Sequence, residues 1–504
     1  MRIGQILLLL GIFTLLFGSC EVSQDGGGNS STITKPSNVP PRKFWAQNLA
    51  TEKYYQVDAE LLAESANCRV WAETSSSVNV SVDMATSMAR AYENDILPKM
   101  LNTFAYQGPI SDGGRIVANN TVELADYIGD RDGKLCILLL DIADDYKPGV
   151  NDSYCAGYFW AGNLFSKNDT RDSSFRYSNE CDMIYIDINP GRPGSRDSNA
   201  TFAHEMQHMM SYANYLITKK QFLLDIWIDE GLSVSAEWLY YGAHSTSRVG
   251  WYNQDPSGLI QKGNNFFVWG NRENESQYAV LDDYATVYLF FQWLRLQSGS
   301  SSIYGSISLS NEYDYRAVTN AANLVMPGRG YNNWGTLLKT WHAANYINAS
   351  SGPYGYRNDS LLKDIRAKTA PAGVKTIPLA PGEGVYSITE GFSLPVNTAY
   401  INYTGLNKNS AELSDTRTFS GGALLTFNAN SSVTGSTVNG TTTGVASLVS
   451  TSMDIVSDGN LRDVQLPGPF AIGAGDVLRQ NGHELPPGAD LRKFEKGIVK
   501  IGTE

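Results

Sequence analysis

The stretch TFAHEMQHMM, residues 201–210, carries two of the five histidines in a chain of 504 residues. They stand four apart, with Glu205 directly after the first. On a helix, residues four apart share one face. His204 and His208 then aim their imidazoles at one point, where they can grip a single divalent ion, and nitrogen donors suit zinc. Glu205 lies one residue round, within reach of a water on that ion without ligating it. The pattern is HExxH, which supplies two ligands and a general base. Such motifs also arise by chance, so a surface helix with two satisfied histidines stands as the alternative.

A second stretch, WIDEGLSVSAEWLYYG at 227–242, bears on that choice. Its spacing predicts a helix from about Asp229 to Tyr241, with Gly242 placed for the C-cap. A catalytic zinc site keeps one position open and needs a third protein ligand besides two histidines. Glu230 and Glu237 lie on one face of this helix, among Trp227, Ile228, Leu232, Trp238 and Leu239. Inward-facing carboxylates need partners. Metal ligation for Glu230, and a hydrogen bond from a ligand histidine for Glu237, supply them. Solvated surface carboxylates are the alternative.

Outward from these helices, KLCILLLDI at 134–142 and DMIYIDI at 182–188 read as buried strands. YYQVDAELLA and NCRVWAET read as strands nearer the N-terminus, and VDMATSMARAYENDILPKMLNTF as a helix. NPGRPGSRDSN breaks the chain before the HExxH helix, with Asp197 to Asn199 as N-cap candidates and an end near Tyr215. Further helices are predicted over 282–299 and 334–348. After about residue 365 the chain turns rich in Thr, Ser, Asn and Gly, with short alternating runs that suit a β-sandwich or similar all-β module. No internal repeat is evident.

The chain begins MRIGQILLLLGIFTLLFGSC. One basic residue and a short apolar run, too short to span a bilayer, read as a signal peptide. FGSC resembles the lipobox of bacterial lipoproteins, whose cysteine, here Cys20, is acylated. An ordinary secretory signal with an incidental cysteine is the alternative. A Gly-, Ser- and Pro-rich stretch follows and reads as a flexible tether. The expected organisation is a signal peptide at 1–19, a tether at 20–45 and a mixed α/β unit at 46–125. A catalytic domain at 126–362 and a β-rich domain at 363–504 complete it. The expected location is the cell envelope, outside the cytoplasm and facing the periplasm or the cell surface, with the body held to the membrane by its lipid.

The 39 basic and 51 acidic residues give a formal charge of −12, with no basic cluster, which speaks against nucleic-acid binding. Apart from Cys20, the cysteines are Cys68, Cys136, Cys155 and Cys181. In an oxidising compartment they permit disulfides in three pairings, of which Cys155–Cys181, flanking one predicted loop, is preferred. No CxxC spacing suggests a cysteine metal site. The acidic stretch DIADD at 141–145 fits no calcium loop and reads as a solvated turn.

HEMQHMMSY followed by WIDEGLSVSAEW resembles the gluzincin zinc metallopeptidases, specifically the hyicolysin family. DMIYIDI, GYFWAGN and YATVYLFFQWLRLQSG resemble that family too, over roughly residues 46–350. More distantly the chain is similar to the aminopeptidase-N family, in which a glutamate seven residues after the ligand stands as Glu237 does here. The resemblance implies an α+β, gluzincin-like body with a mixed-sheet lobe and a helical lobe, followed here by the all-β region. It implies zinc held by His204, His208 and Glu230, with Glu205 as general base for attack of water on a peptide carbonyl. It also implies a tyrosine that stabilises the oxyanion. Tyr284 occupies the corresponding place, and Tyr278, Tyr288 and His244 are rivals.

The G-x-M-E-N strand of the related aminopeptidases is absent, which implies an endopeptidase acting on protein or peptide substrates. CAGYFWAGN at 155–163 is a candidate sheet edge for an extended substrate. The expectation is a monomeric zinc endopeptidase. The competing readings are a catalytically inactive peptidase-like lipoprotein acting as adhesin or scaffold, and a metal-dependent hydrolase of another bond.

Overall fold

The computed structural model describes residues 32–51, 53–104, 110–111, 115–116, 134–148, 150, 153–169, 173–219, 223–263, 266, 269, 276, 279–371, 379, 382–388, 392–393, 396–397, 401–414, 418–419 and 423–429. Four residue pairs at 433–434, 437–438, 445–446 and 451–452, and a fifth at 501–502, complete the description. The expected signal peptide, Cys20, the first part of the tether and Tyr278 lie outside the described residues.

One six-stranded mixed sheet organises the N-terminal half. Its strands are β1 (Arg42–Asn48), β2 (Lys53–Glu64), β3 (Cys68–Glu73), β4 (Leu135–Leu140), β5 (Gly157–Phe159) and β6 (Met183–Asp187). Their spatial order is β1-β2-β3-β4-β6-β5. β3, β4 and β6 run parallel, and β5 closes the edge antiparallel to β6. The sheet therefore spans the expected boundary at 125/126, because β3 on one side pairs with β4 on the other. Thr34 bridges to Glu64, and β1 starts at Arg42, so both lie in the stretch expected as tether.

β4 is buried along its whole length, as a continuous apolar run requires of a central strand. Leu135, Ile137 and Leu139 face one core. Cys136, Leu138 and Leu140 face the other. The first of these cores lies under α1 (Val82–Ala91), α2 (Leu97–Thr103) and the HExxH helix α3 (Arg196–Tyr212).

The remaining helices are α4 (Ile226–Tyr241), α5 (Thr246–Gln254), α6 (Ala279–Ser298), α7 (Ser302–Ser308), α8 (Tyr315–Val325) and α9 (Trp334–Ile347). They pack around Trp227, Trp293, Trp334 and Trp341, all almost wholly buried. The sequence reading had no α5, α7 or α8: α5 and α7 are short, and all three fall between the motifs that anchored it.

The C-terminal sheet contains β7 (Gly384–Ile388), β8 (Ile401–Asn407), β9 (Glu412–Ser414) and β10 (Ala423–Asn428), all antiparallel, in the order β7-β10-β8-β9. Of the expected β-sandwich or similar all-β module, the described residues form one four-stranded antiparallel sheet that packs against α9, and Tyr386, Leu406, Leu425 and Phe427 join the same core as Trp341. That sheet borrows its second layer from a helix.

The disulfide expectation is corrected. Cys68, Cys136, Cys155 and Cys181 are all free and buried. Cys155 Sγ donates to Gly157 O at 3.2 Å, and Cys181 Sγ lies 3.7 Å from Met183 Sδ. Burial raises the Cys155 thiol well above its usual range, so it is inert apolar filling.

Candidate metal centre

The N-cap of α3 is Ser195, two residues before the first expected cap, Asp197. Gly194, at φ +77°, turns the chain, and Ser195 Oγ accepts from Ser198 N at 3.2 Å. Upstream, the Asp187 carboxylate at the end of β6 accepts backbone amides of Ile142, Asn189 and Gly191 at 3.1, 2.9 and 2.9 Å. These bonds fix the loop between strand and helix. Burial nevertheless lifts Asp187 to about 7.

α4 starts at Ile226, three residues earlier than predicted, and ends as expected on Gly242 at φ +63°. Gly231 in its first half lets the helices approach. A Cβ there would sit 2.3 Å from the Phe291 ring of α6.

This packing brings His204, His208 and Glu230 together, with one donor atom from each within 4.8 Å of the others. His204 Nε2 lies 3.1 Å from His208 Nε2 and 3.3 Å from Glu230 Oε2. His208 Nε2 lies 3.8 Å from Glu230 Oε2. An ion holding tetrahedral nitrogen and oxygen ligands at about 2.0–2.1 Å sets donor atoms roughly 3.3 Å apart. The three observed separations bracket that edge, so these residues fit a divalent ion.

The outer nitrogens are also fixed. His204 Nδ1–H donates to Glu237 Oε1 at 2.7 Å, and His208 Nδ1–H donates to Asp229 Oδ2 at 2.7 Å. Each carboxylate sets the tautomer that leaves Nε2 for a metal. The spacing gives Asp229 no part in the centre, because it stands at the expected start of the helix. With α4 starting at Ile226, Asp229 stands inside the helix, beside Glu230.

Burial alone would push both imidazoles down. Glu230 and Glu237 outweigh it and raise His204 to about 10, while Asp229 and Glu230 raise His208 to about 9. Burial likewise favours a neutral Glu230, but His208, His204 and Tyr284 hold it below its ordinary value.

Glu205 is 7% exposed. Burial raises its carboxyl, against the two imidazoles and a hydrogen bond from the Phe159 backbone amide, which lower it. Phe159 belongs to β5, so the HExxH glutamate sits against the edge of the sheet.

Tyr284 lies beside the cluster, its hydroxyl donating to Glu230 Oε2 at 3.0 Å and its ring 6.4 Å from that of His204. Burial first, and Glu230 second, keep it protonated far above its normal range. Its described rivals bond to each other instead. Tyr288 and His244 meet at 2.7 Å, and His244 Nε2 pairs with Asp359 Oδ2 at 3.1 Å. In the DIADD turn, Asp144 accepts from the backbone amides of Tyr146 and Cys155, both at 2.8 Å.

No family model matches the chain. It is similar to the neutral metalloprotease ShpI of Staphylococcus hyicus, with 25% identity over 380 residues, 73% of this chain and 76% of the relative.

Proposed function

We propose that the chain is a zinc-dependent endopeptidase. The observation that carries this reading is the spacing of His204 Nε2, His208 Nε2 and Glu230 Oε2, each donor aimed by its neighbours at one ion site. The relationship to a metalloprotease over three-quarters of the chain supports a metal-dependent peptidase. When bound, zinc supplies a Lewis acid that polarises a carbonyl and acidifies water.

The protein's own groups do the rest. Glu205 takes the proton of the attacking water and returns it to the leaving amine, as a buried carboxyl with a raised pKa is suited to do. Glu237 and Asp229 keep the imidazoles oriented. Tyr284, protonated and adjacent, is the donor placed to meet charge that develops on the carbonyl oxygen. The edge strand β5 offers its backbone to an extended substrate beside Glu205.

Digestion of an unfolded protein mixture tests this reading. Cleavage inside chains, abolished by a chelator and restored by zinc, is the expected result; chelator-resistant or absent cleavage overturns it. We also propose that Cys20 carries the lipid that holds the body at the cell envelope, on the strength of the FGSC pattern. The variant Cys20→Ser should move the protein from the membrane fraction to the soluble one; unchanged partition would reject the anchor.

A further inference from the structure

His204 and His208 are not held alike. Each gives its Nδ1–H to a carboxylate of α4, but only one of those carboxylates meets a cation among the described residues. Arg248, in α5, grips Glu237 with both arms, Nη1 to Oε2 at 2.9 Å and Nη2 to Oε1 at 3.0 Å. Oε1 is the same oxygen that takes the His204 proton at 2.7 Å. Asp229 Oδ1, the matching arm on the His208 side, has no hydrogen-bond partner among the described residues.

A planar fork fixes a carboxylate in angle as well as in place. The pair is sheltered, with side chains 13% and 14% exposed. Without the guanidinium, Glu237 would be a sheltered carboxylate held by one imidazole alone and free to turn.

Arg248 is itself anchored. Its backbone amide donates to Ser245 Oγ, the N-cap of α5, at 3.3 Å. Ser245 N donates to the Tyr288 hydroxyl at 3.3 Å, which meets His244 Nδ1 at 2.7 Å. His244 closes on Asp359 at 3.1 Å. The guanidinium also lies over the Tyr284 ring at 5.6 Å and the Tyr288 ring at 5.8 Å. A continuous set of contacts thus runs from Asp359 to His204.

We propose that Arg248 is a positioning residue of the metal centre. It holds Glu237 in angle and in place, so that Oε1 keeps accepting from His204 Nδ1–H and the Nε2 lone pair stays turned toward the metal. This rests on the zinc-site reading above.

The test is the zinc affinity of metal-free protein, measured by competition with a chelator, for wild type, Arg248→Met, Arg248→Lys, Glu237→Gln and the Arg248→Met, Glu237→Gln double variant. Arg248→Met should bind zinc about 10–100-fold more weakly. Arg248→Lys should fall between it and wild type, because charge returns without the fork. The double variant should bind no more weakly than Glu237→Gln alone, since Arg248 acts through Glu237. Thermal melts of the metal-free variants identify any that fail to fold, in which case Arg248→Lys and Glu237→Gln carry the comparison. Wild-type affinity in Arg248→Lys and Arg248→Met, or losses that multiply in the double variant, would overturn the proposal. A wild-type protein that takes up no zinc would instead overturn the metallopeptidase reading itself.

Discussion

Two buried histidine environments in this molecule point in opposite directions. His204, 5% exposed between α3 and α4, faces Glu230 and Glu237 and is raised to about 10. His342, 6% exposed on α9, meets no carboxylate in its hydrogen bonds and is lowered by burial to about 4. Its Nε2 donates to Gly382 O at 3.0 Å, and the Tyr386 hydroxyl donates to its backbone carbonyl at 2.8 Å. Burial depresses an imidazolium in both places. Only the centre between α3 and α4 adds carboxylates enough to reverse the sign. That centre favours a cation, be it a proton or a metal. The other joins a helix to the C-terminal sheet.

The comparison is broken or sharpened first at Glu205. If the centre between α3 and α4 is the reacting one, Glu205→Gln should lower kcat/KM for an unfolded protein substrate by about 10²–10⁴-fold. Zinc content should stay at wild-type level, because Glu205 is outside the three-residue group. His342→Gln should leave kcat/KM unchanged. Kinetics and metal analysis on the two variants check both statements, and equal losses would remove the distinction.

The next largest effect is on stability against pH in metal-free protein. His204 and His208, raised above their unfolded value of about 6.5, contribute stability that is complete below pH 6.5 and lost as pH rises toward about 9 to 10. His342 is depressed, so its contribution is complete above pH 6.5 and lost as pH falls toward about 4. The His342 limb is on the order of 3 kcal/mol. Denaturant melts from pH 4 to pH 10 should show both limbs in wild type. In His342→Gln the acid limb should shrink while the alkaline limb stays.

The smallest expected effect concerns the packing that sets the centre. Gly231→Ala places a methyl 2.3 Å from the Phe291 ring, next to Glu230. It should cost about 1–3 kcal/mol in a thermal or denaturant melt. A variant as stable as wild type would mean that α4 and α6 can part without strain.

Much of the sheet lobe was legible, because β4 and β6 are uninterrupted apolar runs, and the HEMQH and WIDEG stretches mark α3 and α4. The donor group was legible for a related reason. Residues four apart in a helix must share a face, whatever surrounds it. What escaped was set by contacts that no periodicity marks. Arg248 reaches Glu237 from a short helix the spacing does not predict, and Asp359 reaches His244 across 115 positions. Nothing local marks either residue. The C-terminal sheet was legible as strands but not as a layer on α9, since alternation gives a strand its two faces and says nothing of what covers them.

The most direct measurement is the anomalous scattering of a zinc-soaked crystal. One strong peak within about 2.0–2.2 Å of His204 Nε2, His208 Nε2 and a Glu230 carboxylate oxygen is the predicted result. A peak elsewhere, or none here at saturating zinc with the Glu230 side chain turned away, would contradict the account.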